Sequence, residues 1–213
     1  MAIVTKMVSP GPVFFRQERV GFRGEWFKIL KFRTMTVGTG TAAHQDHFKQ
    51  LIVTNAPMVK LDCSDARLIP GGWLLRASGL DELPQIINIL RGDMSLVGPR
   101  PCIPGEFKQF LPWQRERANA LPGLTGLWQV SGKNRTTFEE MIRLDIQYAR
   151  NPSFWLNLKI IFLTPWAIAR QIGDTITRRK SVVLSTSPVV PPSTTKPAHE
   201  TSRMSSAPIF SRA

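Results

Sequence analysis

Near the start of the chain, hydrophobic and polar residues alternate with the period of two that characterises a β-strand. Two strand-like runs, Arg16–Val20 and Glu25–Thr34, flank a turn that contains Gly21 and Gly24. Runs of this kind around a glycine-containing turn indicate a β-hairpin. The sequence therefore predicts an N-terminal hairpin of two antiparallel strands.

The second strand of this hairpin carries two cations on one face. Phe27, Ile29, Lys31 and Arg33 are spaced two residues apart, so their side chains project to the same side of the strand. Lys31 and Arg33 are then placed to bind phosphate oxygens together. The alternative is that they are protective charges on a solvated strand edge.

A short helix is predicted further along the chain. Its apolar residues lie at i, i+3, i+4 and i+7, which defines one helix face: Leu83, Ile86, Ile87 and Leu90. Pro84 is tolerated only in a first turn, where its missing N–H would have no helical partner. The helix should therefore begin near Leu80 or Asp81.

Two adjacent acids, Asp81 and Glu82, stand at the start of this helix. Unpaired backbone N–H groups and the positive end of the helix dipole favour an ionised carboxylate there and also attract phosphate. Arg76 precedes the acids, and Arg100 follows them in a Gly-Pro-Arg-Pro turn. This combination suits phosphate chemistry, with an acid as nucleophile or metal ligand. The alternative is that both acids only stabilise the helix start.

Three further elements are predicted between residues 106 and 150. Residues 106–120 form a helical pattern in which aromatic and basic side chains interleave, as at a membrane interface or on a surface that binds single-stranded nucleic acid. The glycine-rich residues 121–135 are predicted to be a loop. Thr137 and Glu140 form a capping box, which predicts a helix that ends near Arg150.

The segment from Phe154 to Ala169 is apolar almost all round and contains tryptophan. It is short for a membrane span, so it is predicted to be an interfacial helix, with a buried core helix as the alternative. The basic residues that follow it, Arg170 and residues 178–180, favour the interface. No run in the sequence reaches 18 apolar residues, and no full membrane span is predicted.

The remaining regions carry no predicted chemistry. Residues 42–54 are predicted to contain a helix in a polar connector, and the Ser-, Thr- and Pro-rich residues 181–213 are predicted to form a disordered tail after a domain of residues 1–180. Cys63 and Cys102 have no metal-ligand spacing and are interpreted as reduced thiols.

The charge of the chain indicates an anionic partner. Its 213 residues carry a formal net charge of +13, with a pI of about 10.7. Nucleic acid, an anionic membrane surface and phosphorylated substrates all fit this balance. General solubility is the alternative.

Five segments together resemble the bacterial sugar transferase family, the monotopic polyprenyl-phosphate phosphoglycosyl transferases. They occur in one order along the chain and are more specific than any single short motif. The segments are Ser9–Gly21, Phe27–Met35, Leu80–Pro101, Pro122–Arg135 and Leu144–Ile161.

This resemblance implies an α+β fold: a small, mostly helical, monotopic membrane-associated domain with an N-terminal β-hairpin and interfacial amphipathic helices. It places the protein on the cytoplasmic face of the inner membrane. Family members carry an apolar re-entrant helix before the first motif, and most of that helix is expected to be absent from this chain. A truncated, non-catalytic member that docks on a full-length transferase is therefore the main alternative, and a basic nucleic-acid-binding protein is a weaker one.

The resemblance also implies an enzyme that transfers a sugar-1-phosphate from a UDP-sugar to undecaprenyl phosphate and releases UMP. The sugar is expected to be galactose or glucose, and the reaction would begin exopolysaccharide synthesis, ahead of downstream glycosyltransferases. By match to the family motif, Asp81 would be the nucleophile that forms a phosphosugar-aspartyl intermediate, and Glu82 would help it to hold Mg²⁺. The residues expected to bind phosphate are Lys31, Arg33, Arg76 and Arg100.

Overall fold

The computed structural model describes residues 10–36 and 67–185, together with Lys6, Thr54 and Pro57; the side chains of residues 134 and 179–185 are not described. The strands in this part of the chain are β1 (Phe14–Val20), β2 (Trp26–Phe32), β3 (Ser95–Val97) and β4 (Gly123–Thr125). The α-helices there are α1 (Gly72–Ser78), α2 (Gln85–Leu90), α3 (Pro104–Gln109), α4 (Leu127–Val130), α5 (Phe138–Arg150) and α6 (Phe154–Ser185). The predicted mixture of helix and strand is confirmed.

The N-terminal hairpin is confirmed. Strands β1 and β2 pair in antiparallel fashion, from Phe14 opposite Phe32 to Val20 opposite Trp26. A 3₁₀ turn, Phe22–Gly24, joins them, and Gly24 takes a positive φ of 85° that glycine adopts without strain. The outer edge of β2 is then available to form hydrogen bonds with a helix that packs against the hairpin.

That helix is α2, which docks on the edge of β2 through its polar side. Asn88 is completely buried; its side-chain oxygen accepts from the Leu30 N–H at 3.0 Å, and its amide donates to the Lys28 carbonyl at 2.8 Å. The helical path begins with a 3₁₀ turn at Leu80–Glu82, where the sequence predicted it. The strand edge thus fixes where the two acids lie.

The apolar face of this helix points outward. The side chains of its predicted stripe are all exposed, and that of Leu90 is 82% exposed: Leu83, Ile86, Ile87 and Leu90. An amphipathic helix on the surface of a globular protein would normally turn this apolar face towards the core. The bonds that Asn88 makes to β2 require the opposite orientation.

The main hydrophobic core lies around α5. The capping box is confirmed: Thr137 Oγ1 accepts from the Glu140 N–H, and the Glu140 carboxylate accepts from the Thr137 N–H at 2.8 Å. The buried core members come from the hairpin, α4, α5 and the residues that flank α3 on either side: Val20, Cys102, Phe110, Trp128, Phe138, Met141, Ile142 and Ile146.

The single helix predicted over residues 106–120 is wrong. Helix α3 ends at Gln109, and a separate 3₁₀ segment, Pro112–Asn119, follows. Pro112 forces Leu111 into an extended conformation, which interrupts the helix. The interfacial interpretation of its aromatic residues is also wrong, because Phe110 is buried and Trp113 packs against the core.

The predicted loop over residues 121–135 is wrong as well. Strand β4 pairs in parallel with β3, so that Ser95 lies opposite Gly123 and Val97 opposite Thr125. Helix α4 follows it directly. Three-residue strands produce too little alternation to be recognised from the sequence.

Helix α6 is longer than predicted. It has 32 residues and continues to Ser185, because the residues after Ala169 contain no strong helix breaker; Pro165 lies within it. It therefore crosses the predicted domain boundary at residue 180. No helix in the described part of the chain combines the length and the apolar character that a membrane crossing requires.

Some predictions fall outside the described residues. These are the helix over residues 42–54, except for Thr54, the role of Cys63, and the disordered tail after Ser185. Cys102 is described and is a free, buried thiol; burial raises its pKa to about 11. Its predicted reduced state agrees with that environment.

Candidate phosphate-handling site

A cleft lies where the hairpin, the 3₁₀ turn before α2 and the loop after β3 meet. Strand β2 contributes Lys31, the 3₁₀ turn contributes Glu82, and the loop contributes Arg100. Arg19 of β1, Gln85 of α2 and Gln129 of α4 complete its polar lining. Residues that are far apart in the sequence therefore form one cationic cleft with an acid at its edge.

Lys31 and Glu82 form the central ion pair of this cleft. Lys31 Nζ lies 2.7 Å from Glu82 Oε1, and each side chain is 16% exposed. Burial lowers the pKa of Lys31 from its ordinary value, and the neighbouring Glu82 carboxylate opposes that shift. Attraction is strong at this distance and in this partly dry environment, so each charge holds the other in place.

Asp81 lies beside this pair and is 6% exposed. Its charge raises the pKa of Lys31, whereas the charge of Arg100 lowers it, so both groups are close enough to act on the lysine electrostatically. The two adjacent acids thus face different surroundings: Glu82 is bonded to Lys31, and Asp81 is almost completely enclosed. A carboxylate in such a position can act as a nucleophile on a phosphate that the cations hold.

Two predicted phosphate-binding residues lie elsewhere. Arg33 is buried, and its Nε donates to the backbone carbonyl of Pro12 at 2.7 Å. Arg76 lies in the last turn of α1, where its backbone carbonyl accepts from Gln171 of α6. Neither side chain lines the cleft, and their binding of phosphate stays a prediction.

Two polar atoms of the cleft residues have no hydrogen-bond partner. Among the described residues, Arg19 Nε and Gln129 Oε1 are the buried side-chain atoms left unsatisfied. Each such atom is expected to lower the stability of the protein by about 1–3 kcal/mol. Burial, together with the neighbouring charge of Arg100, lowers the pKa of Arg19 to about 10, so its guanidinium stays charged at neutral pH.

Sequence reasoning assigned no role to Arg19, Gln85 or Gln129. Arg19 lies in Ser9–Gly21, the first segment that carries the family resemblance. That position was the one sequence feature that pointed to a functional role for it. Gln85 follows the acids and is 2% exposed, although nothing in its local sequence predicts burial of a glutamine. Gln129 lies in a helix that was predicted to be a loop.

The donor set available for a metal ion is small. Among the described residues, no group of three or more His, Cys, Asp and Glu side chains is arranged to hold a metal ion. Mg²⁺ differs from most protein-bound metals in this respect, because it commonly uses one or two carboxylates and takes its other ligands from water and substrate phosphate. Asp81 and Glu82 fit that requirement.

A hairpin that presents cations to a pair of acids is an arrangement suited to binding phosphate groups. Comparison with known proteins gives the family: residues 1–171 match the family described as "Bacterial sugar transferase", and the chain belongs to it. The resemblance seen in the five sequence segments is therefore confirmed.

Similar proteins bear names that fit this family. The chain is 43% identical over 158 residues to "Galactosyl transferase CpsE" of Streptococcus agalactiae, which covers 72% of this chain and 34% of that protein. It is 37% identical over 180 residues to "Exopolysaccharide production protein ExoY" of Rhizobium meliloti, which covers 82% of this chain and 77% of that protein. It is 40% identical over 172 residues to "UDP-glucose:undecaprenyl-phosphate glucose-1-phosphate transferase" of Xanthomonas campestris. This match covers 77% of this chain and 33% of that protein. The match thus spans about a third of the length of two of these three relatives.

Proposed function

We propose that this protein transfers a hexose-1-phosphate from a UDP-sugar to undecaprenyl phosphate and releases UMP, as the first step of exopolysaccharide synthesis. The observation that carries the proposal is the cleft in which Lys31, Glu82 and Arg100 meet beside the enclosed Asp81. The names of the relatives support the two substrates, and they include both galactose and glucose transferases.

The positions of the charged groups support a transfer in two steps. A carboxylate oxygen of Asp81 attacks the phosphorus that carries the sugar, and the bond from that phosphorus to the oxygen of UMP breaks. The lipid phosphate then attacks the same phosphorus, and the bond to Asp81 breaks. The sugar-1-phosphate is thereby transferred, and the carboxylate is regenerated.

The cations of the cleft stabilise the charge that develops in both steps. Lys31 and Arg100 are placed to neutralise the diphosphate oxygens of the donor, and a bidentate guanidinium is well suited to this task. When the donor phosphate binds, it competes with Glu82 for Lys31. Mg²⁺ held by Asp81 and Glu82 would neutralise further phosphate charge and assist the departure of UMP.

The setting proposed for this reaction is the cytoplasmic face of the inner membrane. Its lipid substrate is insoluble, and the exposed apolar face of α2 begins directly after the two acids. Helix α6 also exposes large apolar side chains, including Phe154, Trp155, Phe162 and Trp166. Surfaces of this kind bind at membrane interfaces, where the acids would meet the phosphate of the carrier lipid.

The test is UMP release by membranes that contain the protein, supplied with Mg²⁺, undecaprenyl phosphate and a panel of UDP-sugars. Asp81→Asn keeps the shape of the side chain and removes the nucleophile, so we expect release to fall by at least about 1,000-fold. Asp174→Asn, which removes a partly exposed carboxylate on α6, is the matched control and should retain release.

A second measurement addresses the intermediate. With the donor present and the lipid omitted, we expect a burst of about one UMP per protein and a sugar-phosphate mass added to Asp81. Full transfer by Asp81→Asn would disprove its nucleophilic role. Absence of release with every donor, from membranes shown to contain the protein, would favour the non-catalytic alternative.

A further inference from the structure

Behind the cleft, the side chains of Arg117 and Asp145 form an almost completely buried ion pair. Arg117 lies in the 3₁₀ segment Pro112–Asn119, and Asp145 lies in α5. Arg117 Nη2 donates to Asp145 Oδ2, and the side chains are only 4% and 2% exposed. Desolvation of two such charges can outweigh their attraction, so stability alone is a weak reason for this pair.

The same two side chains hold the backbone of Arg100. Arg117 Nη2 also donates to the Arg100 carbonyl at 2.8 Å. Burial raises the pKa of Asp145 to about 6, and both Arg117 and a hydrogen bond from the backbone of Arg100 oppose that shift. The charge and hydrogen bond of Arg117 thus favour the ionised form of this carboxylate, and Arg117 contacts the backbone of Arg100 at the same time.

Other features restrict this backbone further. Pro99 and Pro101 fix their own φ angles on both sides of Arg100. Arg19 Nη1 donates to the Pro101 carbonyl at 3.2 Å, so a second buried guanidinium holds the next peptide. The side chain of Arg100 remains half-buried and reaches the cleft that Lys31 and Glu82 line, whereas Arg117 and Asp145 do not line it.

We propose that Arg117 and Asp145 are a positioning pair, which fixes the backbone of Arg100 so that its guanidinium is pre-organised for the phosphate of the donor. This inference rests on the proposed function, in which Arg100 binds that phosphate. A pre-organised side chain loses less conformational entropy when the donor binds. The pair would thus act on the reaction without touching the substrate.

The test is a double-mutant cycle between Asp145→Asn and Arg100→Gln. Asp145→Asn keeps the shape of the side chain but removes the charge that orients Arg117. We expect the KM for the UDP-sugar to rise about tenfold, with kcat per folded protein changed less than about threefold. In the Arg100→Gln background the same change should raise KM less than about twofold, because the residue to be positioned is already absent.

A second variant and a matched control separate positioning from folding. Arg117→Lys keeps a positive charge for Asp145, but a single ammonium does not reproduce the planar donor geometry, and KM should rise here too. Glu139→Gln removes an exposed ion pair with Arg143 on the same helix and should leave KM unchanged. Thermal unfolding of every variant gives the folded fraction.

The outcomes distinguish this inference from the proposed function. Titration of the purified protein with UDP measures binding independently of transfer, so the cycle can be read even if no transfer is detected. An unchanged affinity for the donor in Asp145→Asn and Arg117→Lys, or equal losses in both Arg100 backgrounds, would overturn the positioning role. Failure of both variants to fold would overturn it as well, because the pair would then serve the core.

Discussion

At the scale of single residues, the ion pair between Lys31 and Glu82 is the central contact of the cleft. Two roles converge on it, because the lysine is proposed to bind phosphate and the acid is proposed to help hold Mg²⁺. With Lys31 Nζ 2.7 Å from Glu82 Oε1, the ion pair competes with both roles. The donor diphosphate supplies the competing negative charge that would separate it.

Replacement of Lys31 tests this relation. Lys31→Gln removes a cation from the donor site and leaves the partly buried Glu82 without its partner, so we expect kcat/KM for the UDP-sugar to fall at least about tenfold. Steady-state kinetics of UMP release would measure the loss. Lys28→Gln changes an exposed lysine on the same strand and should leave kcat/KM nearly unchanged. Equal activity of the two variants would remove Lys31 from the site.

At the scale of elements, the short parallel sheet depends on the close approach of three glycines. An added Cβ at Gly123 would lie 2.0 Å from the backbone nitrogen of Gly98, and one at Gly126 would lie 2.2 Å from the Gly98 carbonyl oxygen. No side chain fits there, because the two backbones are already in contact. The loop after β3, which carries Arg100, starts at Gly98, where the two backbones are in contact.

We therefore expect Gly123→Ala to lower the free energy of unfolding by about 3 kcal/mol or more, because backbone atoms must move to admit the methyl group. Urea unfolding followed by circular dichroism would measure it. Gly105→Ala in α3 is the control: an added Cβ there meets nothing within 4 Å and should be neutral or slightly stabilising. A urea midpoint for Gly123→Ala equal to that of the original chain would contradict the close contact between the backbones of Gly98 and Gly123.

At the scale of the whole molecule, a high positive charge is combined with exposed apolar helix faces. The chain carries a formal net charge of +13, while α2 and α6 expose leucine, isoleucine, phenylalanine and tryptophan side chains. Basic residues are attracted to anionic lipid, and that attraction weakens as salt screens it. Apolar side chains inserted at the interface contribute binding free energy that salt does not screen.

The double substitution Ile86→Gln with Leu90→Gln tests the apolar part. Both side chains are exposed in the structure, so the thermal midpoint should change little, whereas binding to vesicles should weaken by about tenfold or more. Co-sedimentation with vesicles that contain anionic lipid, at low and high salt, would measure the change. A lower thermal midpoint with unchanged vesicle binding would show instead that this face packs within the protein.

The sequence by itself determined the features that depend on neighbouring residues. The hairpin follows from the alternation around Gly21 and Gly24, and α5 follows from its capping box, because turns and caps are local interactions. The position of the acids at a helix start follows from Pro84 in the same way. The family was recognisable for a related reason, since its motifs are continuous segments.

Only the tertiary structure decided which face of α2 is buried and which cations reach the acids. Asn88 turns the polar side of α2 inward through bonds to Lys28 and Leu30, and periodicity does not contain that information. Lys31 and Arg33 share a face of the predicted strand, yet Lys31 alone of the two lines the cleft, while Arg33 lies just after β2 and donates to the backbone of Pro12. These outcomes depend on contacts between distant segments, which form only when the whole chain packs.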